Sequence, residues 1–215
     1  MTTRLQSGQE QRQNLAARHV CATALAYLHH GLSVDTIWVD GDGGGETTGG
    51  FRVINSLDAG RIGIVGQAVK PSSRQAVKPS SRQAVELEWI AERKGQSEAI
   101  REILNSWQET VEYSIQEEDN TGDEAVLSGG SLMVSAPWAI AIVAVNRDLI
   151  NELAELLLAS DGHLESAAFL PIVDGRITDV SVEDNLAAFR LLEPHQEQLR
   201  EITDLVSDWR QLDQI

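Results

Sequence analysis

The longest uncharged apolar run in the chain is Leu132–Val145, LMVSAPWAIAIVAV. It falls short of the ~18 residues that a bilayer span needs. It is also too uniformly apolar for a surface. The chain must therefore build a core around it, and 215 residues provide enough surface-to-volume advantage to do so. Ser131–Ala136 and Trp138–Val145 read as two strands, the second buried on both faces.

The flanking segments set the fold class. Glu10–His30 reads as a helix whose apolar face holds Leu15, Val20, Cys21, Ala24, Leu25, Tyr27 and Leu28, with Gly31 just past its end. Residues 1–9 read as a disordered tail. Ser33–Asp40 reads as a strand and Asp40–Gly50, DGDGGGETTGG, as a flexible loop. FRVIN and RIGIVGQAV read as a hairpin across SLDAG. A central helical hairpin is expected from about Ser81 to Gln116, and the acidic stretch 117–130 reads as a linker.

In the second half, RDLINELAELLLAS is a helix with Leu149, Leu153 and Leu156 in register. FLPIV-DG-RITDVSV reads as a hairpin with Asp174-Gly175 in a type I′ turn. SVEDNLAAFRLL reads as a helix capped by Ser181, with Asp184 at the third helical position, and Pro194 stops it. A last amphipathic helix carries Leu199, Ile202, Val206 and Trp209 at 3-4-3 spacing. Hairpins interrupt any strand–helix alternation, so the pattern predicts an α+β fold rather than a doubly wound sheet. Residues 1–116 and 131–215 form two mixed regions across the linker, either separate or joined in one domain.

Charge narrows the partners. The chain holds 33 acidic and 17 basic residues, a net charge of −16. Such a chain is repelled by phosphate backbones unless its bases gather on one face. They gather around a tandem repeat: the octapeptide Gln67–Arg74, QAVKPSSR, recurs unchanged as Gln75–Arg82. Arg61, Lys70, Arg74, Lys78 and Arg82 lie between Asp58 and Glu86 with no carboxylate among them. These five form the candidate anion or partner contact. Doubling a surface loop costs only about 0.6 kcal/mol of closure entropy, so such a duplication persists without needing a use.

No catalytic motif is present: no Walker lysine, no G-x-S-x-G, no H-E-x-x-H. Asp40, Asp42 and Glu46 share a glycine loop, but the spacing fails the EF-hand pattern. His29 and His30 are adjacent and point in different directions on a helix, so they read as structural rather than as a metal pair. Cys21 lies in the apolar face of the first helix and reads as an inert thiol. No cofactor is expected. One cysteine excludes an internal disulfide, and no apolar leader is visible, which points to a cytoplasmic protein.

The leading expectation is a non-enzymatic interaction or assembly protein that forms homo-oligomers or docks on protein partners. Five tryptophans and a bias of arginine over lysine suit interfaces. The Leu199–Ile202–Val206–Trp209 stripe is the candidate interface.

One local segment suggests a rival. Trp89, Ile90, Ala91, Glu92, Lys94, Glu102, Ile103, Leu104, Thr110 and Val111 follow the order of a known pattern. On these residues, Ser80–Gln116 resembles the helix-turn-helix of LuxR/GerE-type regulators. The resemblance covers no other part of the chain. It implies a DNA-binding regulator whose recognition helix runs from about Glu109 to Gln116. That helix holds no Lys or Arg, so charge disfavours a nucleic-acid partner.

Overall fold

The computed structural model describes the backbone of residues 2–41, 44–49, 100–101, 104–105, 108 and 132–212. Side chains are described for 13–41, 44–49, those same five central positions and 136–205. The expected hairpin over FRVIN and RIGIVGQAV, the octapeptide repeat and the acidic linker lie outside these residues. So do most of Ser80–Gln116 and the side chains of Val206 and Trp209.

The fold is α+β, with helices dominating. Helix α1 spans Thr2–His29. It therefore runs through the stretch expected as a tail, where Arg4, Leu5, Gln6 and Gln9 are good helix formers and no Pro intervenes. Its far end closes as a Schellman motif. Gly31 takes φ +70°, its N–H bonds the Leu28 carbonyl, and the Leu32 N–H reaches back to Tyr27.

Strand β1 is Thr36–Val39 and β2 is Gly45–Thr48. They pair antiparallel, so four residues of the expected glycine loop form a strand. The Thr36 and Thr48 hydroxyls meet across the pair at 2.6 Å, and such a cross-strand pair offsets the poor strand propensity of Gly45 and Glu46. The third strand, β3 (His163–Glu165), pairs antiparallel with the other edge of β1. The order is β2-β1-β3. Directly opposed residues share a face, so Thr47, Ile37 and Leu164 form one buried row. Glu46, Trp38 and His163 form the row on the opposite face.

α1 covers the buried face together with α3 (Arg147–Ala159), whose residues Leu149, Ile150, Leu153, Ala154 and Leu157 point inward. Polar bonds fix this packing. Thr47 Oγ1 donates to the Val20 carbonyl at 2.8 Å. Arg18 Nε donates to Asn151 Oδ1 at 2.9 Å. Residues from both expected regions thus share one sheet and one core.

The apolar run that anchors the sequence is a helix, α2 (Leu132–Val145), and not two strands. Ala136–Val143 are buried without a break. A run buried on every side carries no periodicity to separate 2.0 from 3.6 residues per repeat. Its length, beyond that of an ordinary strand, and its alanines favour the helix. Pro137 sits inside it.

The expected hairpin over FLPIV-DG-RITDVSV is also replaced. Ser166–Val173 forms α4, with Phe169 and Val173 buried four residues apart while Leu170 and Pro171 are exposed. A strand would instead have buried 169, 171 and 173 on one side and put Pro171 where a ladder donor is needed. The turn itself exists but is type II. Asp174 has φ −57° and ψ 120°, Gly175 has φ +66°, and the Arg176 N–H bonds the Val173 carbonyl. Residues 177–181 then form a strap without strand partners among the described residues.

α5 (Val182–Leu192) follows, stopped by a 3₁₀ turn at Glu193–His195 that contains Pro194. α6 is Gln196–Leu212. Both α5 and α6 pack on α2. Ile100 and Leu104 are helical and buried in the same core, and Gln198 Nε2 donates to Asn105 Oδ1 at 2.8 Å. No described helix is long and apolar enough to cross a membrane.

Candidate functional site

The described surface is unusual at α5. Most apolar residues of the described chain are buried. Val182, however, is 77% exposed, Leu186 50% and Phe189 40%. Their i, i+4, i+7 spacing aligns them along one face of the helix. The adjoining face packs inward, through Ala188 and Leu192.

Three polar devices fix where this helix starts. The first is a capping box: the Asp184 N–H bonds Ser181 Oγ at 3.1 Å, and Asp184 Oδ2 accepts from the Ser181 N–H at 3.0 Å. The Ser181 hydroxyl and then its backbone N–H hold the Asp184 carboxyl below the usual aspartate range.

The second is an amide clamp. Asn146 is buried at the junction of α2 and α3 and does not cap α3 with its side chain. Its Nδ2 donates to the Ile142 and Thr178 carbonyls, each at 2.9 Å. Its Oδ1 accepts from the Thr178 N–H at 2.8 Å. One side chain thus satisfies both backbone groups of a strap residue that has no strand to pair with, which is how an irregular segment meets its hydrogen-bond requirement.

The third is a histidine at the C-terminus of α1. His29 Nδ1 lies 3.4 Å from Asp179 Oδ1 on the strap. Its ring sits 5.4 Å from Trp138, and that of His30 lies 5.0 Å from the same indole. The two imidazoles are themselves 5.1 Å apart and edge-on, so they meet against the indole rather than point apart. Behind the strap, Arg176 makes a two-point contact with Glu152 at 3.1 and 2.6 Å.

Other candidates resolve differently. Among the described residues no group of three or more His, Cys, Asp or Glu side chains is placed to hold a metal ion. Asp40 is used locally, its Oδ1 accepting from the Gly44 N–H at 2.7 Å at the β1–β2 turn. Cys21 is fully buried, and burial pushes its thiol far above the ordinary value, which removes the thiolate a nucleophile needs. Burial, then the charge of Glu46, keeps the Tyr27 phenol protonated beyond its usual range.

Of the sequence-derived contacts, Arg61, Lys70, Arg74, Lys78 and Arg82 lie outside the described residues. In the terminal stripe, Leu199 and Ile202 are buried at 2% and 0% exposure in the core of this same chain. Of the residues carrying the LuxR/GerE resemblance, Leu104 alone is described, and it is buried. The α5 face was not singled out from the sequence. Its signal was present as Val182, Leu186 and Phe189. The same helix also offers Ala188, Leu191 and Leu192, and spacing does not say which stripe turns inward.

Compared with protein-family models, curated proteins and solved structures, the chain gives no significant match.

Proposed function

We propose that this protein is a non-enzymatic interaction or assembly protein that docks through α5. The observation that carries this reading is the exposed Val182–Leu186–Phe189 stripe on a helix whose start is fixed by the capping box, the Asn146 clamp and the His29–Asp179 pair. A rigidly presented row of large apolar side chains, on a helix whose adjoining face is packed in the core, is the arrangement of a preorganised contact surface.

The test is the double substitution Leu186→Ser/Phe189→Ser in the full chain. Thermal melting and light scattering after size exclusion, over a range of concentrations, are measured beside wild type. The expected result is an unchanged melt, within about 1 kcal/mol, with loss of any association made through this face, whether with a protein partner or with a second copy. A steep loss of stability would make the stripe part of the core and end the reading. A salt-sensitive complex with nonspecific duplex DNA, untouched by the double substitution, would replace it with the regulator implied by Ser80–Gln116.

A further inference from the structure

We propose that the α5 face takes a basic amphipathic helix of a protein partner, an inference that rests on the docking reading above. Exposed carboxylates stand before, within and after the segment that carries the stripe. Asp179, 92% exposed at its side chain, precedes Val182. Glu193 follows Phe189 by one helical turn and is exposed. Glu183 is exposed beside Val182, and Arg190 is the one base on the helix.

Val182 to Phe189 spans about 10 Å, two helical turns, at a rise of 1.5 Å per residue. That length and the i, i+4, i+7 row match the ridge of a second helix laid against it. Apolar anchors at helical spacing would fill the stripe. Lys or Arg on the flanks would meet Asp179, Glu183 and Glu193.

The same charges argue against a second copy as the occupant. Self-pairing would add three carboxylates from each copy. Two Arg190–Glu183 contacts would offset only part of that excess. A chain of net charge −16 adds long-range repulsion between copies.

The experiment uses the full chain and a fluorescent model peptide with Leu at helical spacing and Lys at the remaining positions, read by anisotropy at low and physiological salt. Wild type is expected to bind, with affinity falling as salt rises. Leu186→Ser/Phe189→Ser should weaken binding more than about thirtyfold. The rim variant Asp179→Asn/Glu183→Gln/Glu193→Gln should weaken it about tenfold at low salt, flatten the salt dependence and leave the melt unchanged, so that loss of the His29–Asp179 contact does not account for the change.

A control variant, Asp148→Asn/Glu155→Gln/Asp161→Asn, removes three charges from exposed positions elsewhere and should leave binding within about twofold. If the control weakens binding as much as the rim variant, general attraction to an acidic chain explains it and the proposal falls. Absence of peptide binding, with a wild-type dimer that Leu186→Ser/Phe189→Ser makes monomeric, would assign the face to a second copy. That result overturns the basic partner and leaves the docking reading standing. The docking reading itself fails separately, if the double substitution destabilises the fold.

Discussion

Two glycines separate the cost of a backbone conformation from the cost of a close approach. Gly162 and Gly175 both take positive φ, +75° and +66°. A Cβ at Gly175 would meet nothing within 4 Å, whereas one at Gly162 would overlap the Val39 carbonyl oxygen. Gly162 lies where the end of α3 turns into β3, and its carbonyl accepts from the Val39 N–H at 2.8 Å. Gly175→Ala therefore carries only the left-handed penalty, about 1–2 kcal/mol. Gly162→Ala carries the same penalty, a backbone clash that must be relieved by parting β1 from β3, and the loss of one bond worth about 1 kcal/mol. A total of about 3–4 kcal/mol is expected, or roughly 6–16 °C in melting temperature for a chain of this size. Urea denaturation of both variants, with m-values compared, measures the difference. If Gly162→Ala costs no more than Gly175→Ala, the close approach of this turn to β1 is not as described, and the account of how β3 joins the sheet is wrong.

Three further outcomes are expected. Asn146→Ala should cost about 2 kcal/mol, since its three bonds are lost while Thr178 regains water, and hydrogen exchange at the Thr178 amide should accelerate. A loss under about 0.5 kcal/mol would show that the clamp does not hold the strap. The Asp184 carboxyl titrates below its ordinary value because Ser181 bonds its charged form. Its stabilising effect is therefore present above the unfolded aspartate range and is lost as pH falls through the folded value. The stability gap between wild type and Asp184→Ala, followed by urea denaturation, should close as pH drops below about 4. Removing Gln75–Arg82 leaves one intact octapeptide, with Ser72 in the place of Ser80 before the same Gln83. Stability should change by less than about 1 kcal/mol, and a chain that unfolds instead would show the second copy to be structural.

Local chemistry was readable where it is self-contained. Gly31 ends α1, Ser181 caps α5 and Pro194 stops it, because each acts within a few residues of itself. The α+β class followed from the mixture of patterns. What failed was period and partner. Leu132–Val145 is apolar at every position, so nothing in it tells a strand from a helix. The Asp174-Gly175 pair correctly marked a turn, yet Gly175 alone needs positive φ, and a type II turn after a helix uses it as well as a hairpin does. β2 was hidden because Gly45 and Glu46 are poor strand formers in a glycine-rich stretch, and the strand is held by what it meets, Thr36 across the ladder and the Val20 carbonyl on α1. The α5 face was ambiguous since both of its stripes are apolar. The role of Asn146 depends on Thr178, thirty-two residues away, and no spacing rule reaches that far.

The central strand also sets a timetable for synthesis. β1 pairs on one edge with β2, which follows within a few residues, and on the other with β3, roughly 120 residues later. α3, which covers α1, also comes late. At about 5–20 residues per second, a nascent chain waits roughly 6–24 s between making Ile37 and making the Leu164 that lies beside it. During that interval the apolar face of α1 and one open edge of β1 have no final cover. An unpaired edge beside an uncovered apolar face invites pairing with another chain. The segment from α1 to β2 thus needs protection from other chains until Arg147–Glu165 has been made.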